Sequence, residues 1–110
     1  MATGRLASPI QVGNVLTTNT TLYTVPTGYY SVFNVSLTNT STSPVTFRLA
    51  LATSATPSAA DYIEYDTTII AKGVFERTGL VAGPGLLVVC VASSNAAINA
   101  TVYGIETSTT

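Results

Sequence analysis

Hydrophobic and polar residues alternate with a period of two through much of the chain. Between positions 30 and 39, Phe33, Val35 and Leu37 are separated by single polar residues. Positions 45–51 repeat the pattern, with hydrophobic residues at every second position. In a strand, successive side chains point to opposite faces, so each segment is predicted to be a strand with one buried face. No segment shows the 3.6-residue period of a long helix.

Polar turns divide the rest of the chain into further strands. Positions 40–44 read Thr-Ser-Thr-Ser-Pro and predict a hairpin loop that pairs the two strands above, with their apolar faces on the same side. Further strands are predicted at 21–25, 62–70, 74–80, 86–91 and 98–103. The segment 86–91 is apolar on both faces, which is typical of a central strand covered on both sides. The pattern predicts an all-β fold: a single antiparallel β-sandwich of seven to eight strands, either immunoglobulin-like or jelly-roll.

The length of 110 residues indicates one domain. We predict an N-terminal arm at 1–11, the β-sandwich domain at 12–106 and a short C-terminal tail at 107–110. The arm is expected to be either disordered or ordered by a neighbouring subunit. In the second case its candidate partner-binding residues are Arg5, Leu6, Pro9 and Ile10.

Charge is scarce: 8% of the residues are charged, against roughly 25% in an average soluble domain. The absence of His excludes Ser-His-Asp and Cys-His catalytic pairs and His-ligated metals, and a single Cys excludes an intrachain disulfide. Four basic residues and a net charge of −1 argue against nucleic-acid binding. The longest apolar run is far shorter than the ~20 residues of a membrane span. We therefore expect no cofactor, no metal and no membrane partner.

Most of the charges cluster in one part of the chain. The residues of this ion-pair strip are Asp61, Glu64, Asp66, Lys72, Glu76 and Arg77. In a regular strand Glu64 and Asp66 would share a face about 7 Å apart, a spacing compatible with acid–base chemistry. The favoured interpretation is a solvated or ion-paired edge. A calcium site is disfavoured because the segment lacks the glycine and spacing of a calcium loop.

The single cysteine and the tyrosines have less specific patterns. Cys90 lies in the most apolar strand, where a thiol behaves as a small buried hydrophobe. Tyrosines are amphipathic, so they suit core packing, subunit interfaces or a sugar-binding face. The tyrosines considered for such a face are Tyr29, Tyr30, Tyr62, Tyr65 and Tyr103.

Several stretches resemble a family of small virion structural proteins of tailed bacteriophages, notably phages of cyanobacteria and other aquatic bacteria. They are GRLA (4–7), LYTVPTG (22–28), NVSLTN (34–39), VTFRLA (45–50), ADYIEYDTTI (60–69), GVFERTG (73–79) and VYGIE (102–106). Together they cover nearly the whole chain. The resemblance implies a β-sandwich component of the virion without an active site, and it leaves open the capsid, tail, baseplate or fibre.

These observations lead to one main expectation and two alternatives. The chain is expected to be a capsid decoration or cement protein that assembles with other virion proteins and forms a homo-oligomer, a trimer being one candidate. Uncharged edge strands, which invite pairing with other chains, favour this assembly role. The first alternative is a tail, baseplate or fibre subunit that binds host glycan through exposed tyrosines. The second, an enzyme that uses Glu64 with Asp66 or Glu76, is the least favoured.

Overall fold

The computed structural model describes residues 3–7, 10–12, 19–94 and 97–109. Its strands are β1 (Thr3–Arg5), β2 (Ile10–Gln11), β3 (Thr20–Thr24), β4 (Tyr29–Asn39), β5 (Val45–Ala52), β6 (Tyr62–Ile69), β7 (Val74–Ala82), β8 (Leu87–Ala92) and β9 (Ile98–Ser108). One turn of 3₁₀-helix spans Ala59–Asp61, and the described residues contain no α-helix. The chain is therefore all-β.

The strands form two antiparallel sheets. In the first sheet β1 and β2 both pair with β9, and the order continues through β4 to β7. In the second sheet the order is β3-β8-β5-β6. The pairs are nested: β5 with β6, then β4 with β7, then β3 with β8, and outermost β1 and β2 with β9. This nesting, with β1 and β2 as one interrupted edge strand, is that of an eight-stranded jelly roll, so the predicted β-sandwich is confirmed.

The predicted hairpin between the two alternating strands is wrong. β4 pairs with β7 and β9, whereas β5 pairs with β6 and β8, so the two strands lie in different sheets. Their apolar faces meet across the core instead of lying side by side. Period-two alternation shows which face of a strand is buried, and either arrangement buries the same face.

The core lies between the sheets. Its largest fully buried side chains include Phe33 and Leu37 from β4 and Phe47 and Leu49 from β5. Strand β8 also buries its outer face, because Val89 joins Ala50 and Ala52 in a second cluster covered by Tyr62 and Leu87. The prediction of a strand covered on both faces is confirmed, and the outer cover comes from the start of β6.

A buried polar trio joins the two sheets. The hydroxyl oxygen of Tyr23, on β3, lies 2.6 Å from the hydroxyl oxygen of Ser31, and the Tyr23 hydroxyl donates a hydrogen bond to the Glu106 carboxylate. Ser31 and Glu106 are direct cross-strand partners on β4 and β9. All three side chains are buried. Since buried polar groups are stable only when hydrogen-bonded, each member of the trio depends on the others.

The trio predicts an alkaline loss of stability. Burial, and then the bond to Glu106, raise the pKa of Tyr23 from 10.0 to about 12. The folded state therefore favours the protonated phenol, and this stabilisation is complete below pH 10 and disappears as the pH rises through about 12. We expect the free energy of unfolding, measured by urea denaturation, to fall over that range. The fall should be smaller in Tyr23→Phe.

The comparison of wild type with Tyr23→Phe isolates the contribution of Tyr23 to the pH dependence of the free energy of unfolding. The Cys90 thiol also has a raised pKa, but it contributes to both proteins alike. Thr78→Ala, at an exposed residue without a titratable side chain, is the control and should keep the wild-type slope. Identical pH slopes for wild type and Tyr23→Phe would contradict the assignment.

Candidate functional site

The predicted ion-pair strip is distributed over several parts of the sandwich. Arg77 of β7 pairs with the carboxylate of Glu64 on β6 and donates to the Ile63 carbonyl oxygen at 3.3 Å. Thr67 donates to the same carboxylate at 2.8 Å. Strands β6 and β7 are edge strands of different sheets, so this ion pair links the sheets along one side of the sandwich.

Asp66 pairs with Arg48, a residue outside the predicted strip. The Arg48 guanidinium donates from Nε to Oδ1 at 2.7 Å and from Nη2 to Oδ2 at 3.2 Å. These hydrogen bonds lower the pKa of Asp66 below its usual value. Arg48 was missed because it lies 18 positions earlier in the chain. Arg48 lies between Phe47 and Leu49, and the alternation of this strand could have shown that its side chain is on the outer face of the sheet, available to pair with an acid.

A β-bulge separates Glu64 from Asp66. Phe47 pairs with Thr67 and Leu49 pairs with Glu64, so Tyr65 and Asp66 together face Arg48. Asp66 has a left-handed backbone conformation with φ of 53°. The prediction that Glu64 and Asp66 share a face is therefore wrong. Glu64 lies on the same face as its partner Leu49, which faces the core, whereas Asp66 lies on the outer face with Arg48.

The remaining members of the strip bind neutral groups. Asp61 accepts hydrogen bonds from the backbone and hydroxyl of Ser58, at 2.9 and 3.1 Å. Lys72 donates to the Thr40 carbonyl oxygen at 2.9 Å, and Glu76 accepts from the Tyr103 hydroxyl. That hydrogen bond raises the pKa of Tyr103. Among the described residues, Glu64 and Arg77 form the one ion pair within the predicted strip.

A tyrosine platform lies on the outer face of the second sheet; we define it as Arg48, Tyr62, Tyr65 and Asp66. Tyr65 is 59% exposed, and the Arg48 guanidinium carbon lies 4.0 Å from the centre of its ring. The Tyr62 and Tyr65 rings meet edge to face with their centroids 5.3 Å apart. The other tyrosines considered for a binding face, Tyr29, Tyr30 and Tyr103, are on strands of the first sheet.

An apolar patch lies on the outer face of the first sheet; we define it as Tyr30, Val32, Val81 and Ile105. Val32 pairs with Val81 on one side and with Ile105 on the other, so the three form a continuous row across β7, β4 and β9. They are 40%, 62% and 45% exposed, respectively. Tyr30 extends the row along β4 and is 39% exposed. This patch was not singled out in the sequence analysis.

The N-terminal arm lies along β9 of its own chain where it is described. Arg5 is exposed and opposite Tyr103, and Ile10 pairs through its backbone with Ala100. Between them, the Leu6 amide donates to the Val102 carbonyl oxygen at 2.9 Å, and its side chain packs against the core. Pro9 lies outside the described residues.

Cys90 belongs to the core. Its side chain is buried, and burial raises the pKa of the thiol to about 12. Because the thiolate is the nucleophile and the metal-binding form, this cysteine is protected from both reactions at neutral pH.

Two kinds of feature, a cluster of metal ligands and a membrane-spanning helix, are absent from the described part of the chain. No group of three or more His, Cys, Asp or Glu side chains there is arranged to hold a metal ion. The same residues include no helix with the length and hydropathy needed to cross a bilayer. Comparison with protein-family models, curated proteins and solved structures gives no match to this chain.

Proposed function

We propose that this protein is a structural component of a tailed-bacteriophage virion, most directly a capsid decoration or cement protein that acts by protein–protein assembly. The apolar patch is the observation that carries the proposal. A continuous row of exposed aliphatic side chains on a sheet face is unfavourable in water, and such patches mark interaction sites in soluble proteins. Burial against another subunit removes this surface from water.

The surroundings of the patch suit an interface. Thr3 lies opposite Ile105, and Thr107 lies opposite Tyr30. Asn34 is two residues after Val32 on β4, so its side chain is on the same face of the sheet. All three neighbours are neutral, so a partner can cover them without removing charges from water. Depletion of charge at the centre of an interface is the general compositional trend.

The fold and the sequence resemblance support the same role. Jelly rolls occur in viral capsid proteins, although the fold also serves lectins and cupins and does not define a function. The proposed partners are other virion proteins, either the major capsid protein or tail proteins, and further copies of this chain. Arg5, Leu6, Pro9 and Ile10 remain candidate contacts, with Arg5 the most accessible of those whose side chains are described.

The oligomeric state of patch variants tests whether the apolar patch is the interface between copies of this chain. Light scattering coupled to size exclusion should give an oligomer for the wild-type chain and a monomer for the double variant Val81→Lys/Ile105→Lys, because buried lysine ammonium groups oppose association. The matched control Thr78→Lys/Thr101→Lys adds the same charge to the same face outside the patch and should remain oligomeric. An oligomer that survives the patch substitutions, with the native circular dichroism spectrum, would exclude the patch as its interface.

Particle composition tests the virion role itself. Mass spectrometry of purified particles of the virus that encodes this chain should find it in a fixed ratio to the major capsid protein. A density map of those particles should show the jelly roll in repeated copies around the symmetry axes. Absence of the protein from purified particles would overturn the proposal.

A further inference from the structure

Beyond the assembly role, we propose that the tyrosine platform is a binding site for a pyranose unit of a neutral glycan. The platform is on the outer face of the second sheet, whereas the apolar patch is on the outer face of the first. A subunit held through the patch therefore presents the platform away from that interface. The two proposals concern different residues and can fail independently.

The bulge in β6 builds the platform. In a regular strand, consecutive residues such as Tyr65 and Asp66 point to opposite faces. Here both face Arg48, because the bulge and the left-handed φ of Asp66 turn them to the same side. A left-handed backbone is uncommon for a residue other than glycine, and such conformations cluster at functional sites. Bulges also commonly redirect a side chain toward a site.

The platform is held in place before any ligand arrives. Arg48 makes two hydrogen bonds to Asp66 and packs on one face of the Tyr65 ring, while the Tyr62 and Tyr65 rings meet edge to face. Tyr62 itself packs on the buried outer cluster that contains Val89. A ligand therefore meets side chains whose rotamers are already restricted, which lowers the entropic cost of binding.

The exposed groups match the chemistry of a sugar. A pyranose has a face of C–H groups and a rim of hydroxyl groups. The C–H face can pack on the side of the Tyr65 ring opposite Arg48, since this side chain is 59% exposed although Arg48 occupies one of its faces. Asp66 is 45% exposed in its side chain, and its carboxylate has about four acceptor positions, two of which accept from Arg48. A guanidinium has about five N–H donors, so Arg48 also keeps spare capacity. Together they offer both donors and acceptors to hydroxyl groups.

The charges favour a neutral ligand. Arg48 and Asp66 form a bidentate ion pair, and their opposite charges largely cancel at the platform. A sulfated or carboxylated sugar would gain little from such a pair, since attraction to Arg48 is opposed by repulsion from Asp66. The ring face of Tyr65 and the hydrogen-bonding rim act equally on an uncharged sugar. Neutral glycans are therefore the expected class.

Binding can be measured directly with simple sugars. The wild-type chain is titrated with glucose, galactose, mannose and N-acetylglucosamine, and backbone amide chemical shifts are followed by NMR. An array of neutral and acidic oligosaccharides then identifies the preferred glycan. The proposal expects shifts centred on β5 and β6 and selective retention of neutral oligosaccharides. No binding to any sugar, or retention of acidic oligosaccharides alone, would overturn it.

Three variants separate binding from folding. Tyr65→Ala removes the stacking surface and should weaken binding at least about tenfold, in the range expected for loss of one aromatic contact. Asp66→Gly removes the carboxylate but favours the left-handed backbone, so it should lose binding while the circular dichroism spectrum stays native. Tyr103→Ala removes a tyrosine of the first sheet that lies outside the apolar patch, and it should bind like the wild type. Unchanged affinity in both platform variants would overturn the site.

Discussion

Gly104→Ala is expected to destabilise the folded state severely. Gly104 lies in β9 opposite Phe33 of β4 and has φ of 156°. A Cβ atom at this position would lie 2.2 Å from the Val32 carbonyl oxygen and 2.6 Å from the Phe33 Cα. Both atoms belong to the backbone of the neighbouring strand, so relief requires separating β4 from β9. The expected loss exceeds about 4 kcal/mol, a large part of the roughly 5–15 kcal/mol available to a small domain.

Circular dichroism and urea denaturation measure this effect. Gly83→Ala is the matched control, because a Cβ atom there would meet nothing within 4 Å and the residue has no left-handed φ. The control should stay folded with a stability within about 0.5 kcal/mol of the wild type. A Gly104→Ala protein with a native spectrum and nearly wild-type stability would show that the β4–β9 pairing tolerates the side chain.

The close approach at Gly104 illustrates what the sequence predicted and what it did not. Alternation identified β9 as a strand and its inward face, because burial sets a period of two. Glycine within a strand indicates a bulge or a close backbone approach, but the predicted strand ended at 103 and β9 extends to Ser108, so Gly104 was not recognised as a strand residue. The neighbour that approaches was not predictable, since strand pairing depends on contacts between distant segments. The same limit made β4 and β5 look like a hairpin.

For the candidate sites too, the sequence indicated some of the residues but not the strand pairing that brings them together. Clustering along the chain drew attention to the acidic residues near Tyr65, but a regular strand was assumed, so the bulge at Asp66 was not predicted. Arg48, the partner of Asp66, lies on β5, and the pairing of β5 with β6 is a matter of sheet order that the sequence does not show. The apolar patch likewise combines residues from β4, β7 and β9 that are far apart in sequence. Neither the exposure nor the adjacency of these residues was identified from the sequence, because both depend on how the strands pair.

Asn39→Ala is expected to cause the second large loss of stability. The Asn39 side chain is fully buried at the end of β4. Its Nδ2 lies 2.9, 3.0 and 3.2 Å from the carbonyl oxygens of Ser43, Ile69 and Ile70, and its two N–H groups donate to them with one N–H shared between two oxygens. Its Oδ1 accepts from the backbone and the hydroxyl of Ser41 at 3.0 and 2.7 Å. One amide thus joins the crossover between the sheets to the turn after β6.

Removing this amide leaves the buried Ile69 carbonyl oxygen and several part-buried polar groups without their partner. Each such group costs about 1–3 kcal/mol, so a total loss of about 3–5 kcal/mol is expected for Asn39→Ala in urea denaturation. Asn39→Asp tests the donors specifically, because a carboxylate keeps the acceptor oxygens but cannot donate to three carbonyl oxygens; its loss should be at least as large. Asn99→Ala removes an exposed asparagine from β9 and should change stability by less than about 0.5 kcal/mol. If Asn39→Asp instead retained wild-type stability, acceptance from Ser41 would be sufficient and the donated hydrogen bonds would not hold the crossover.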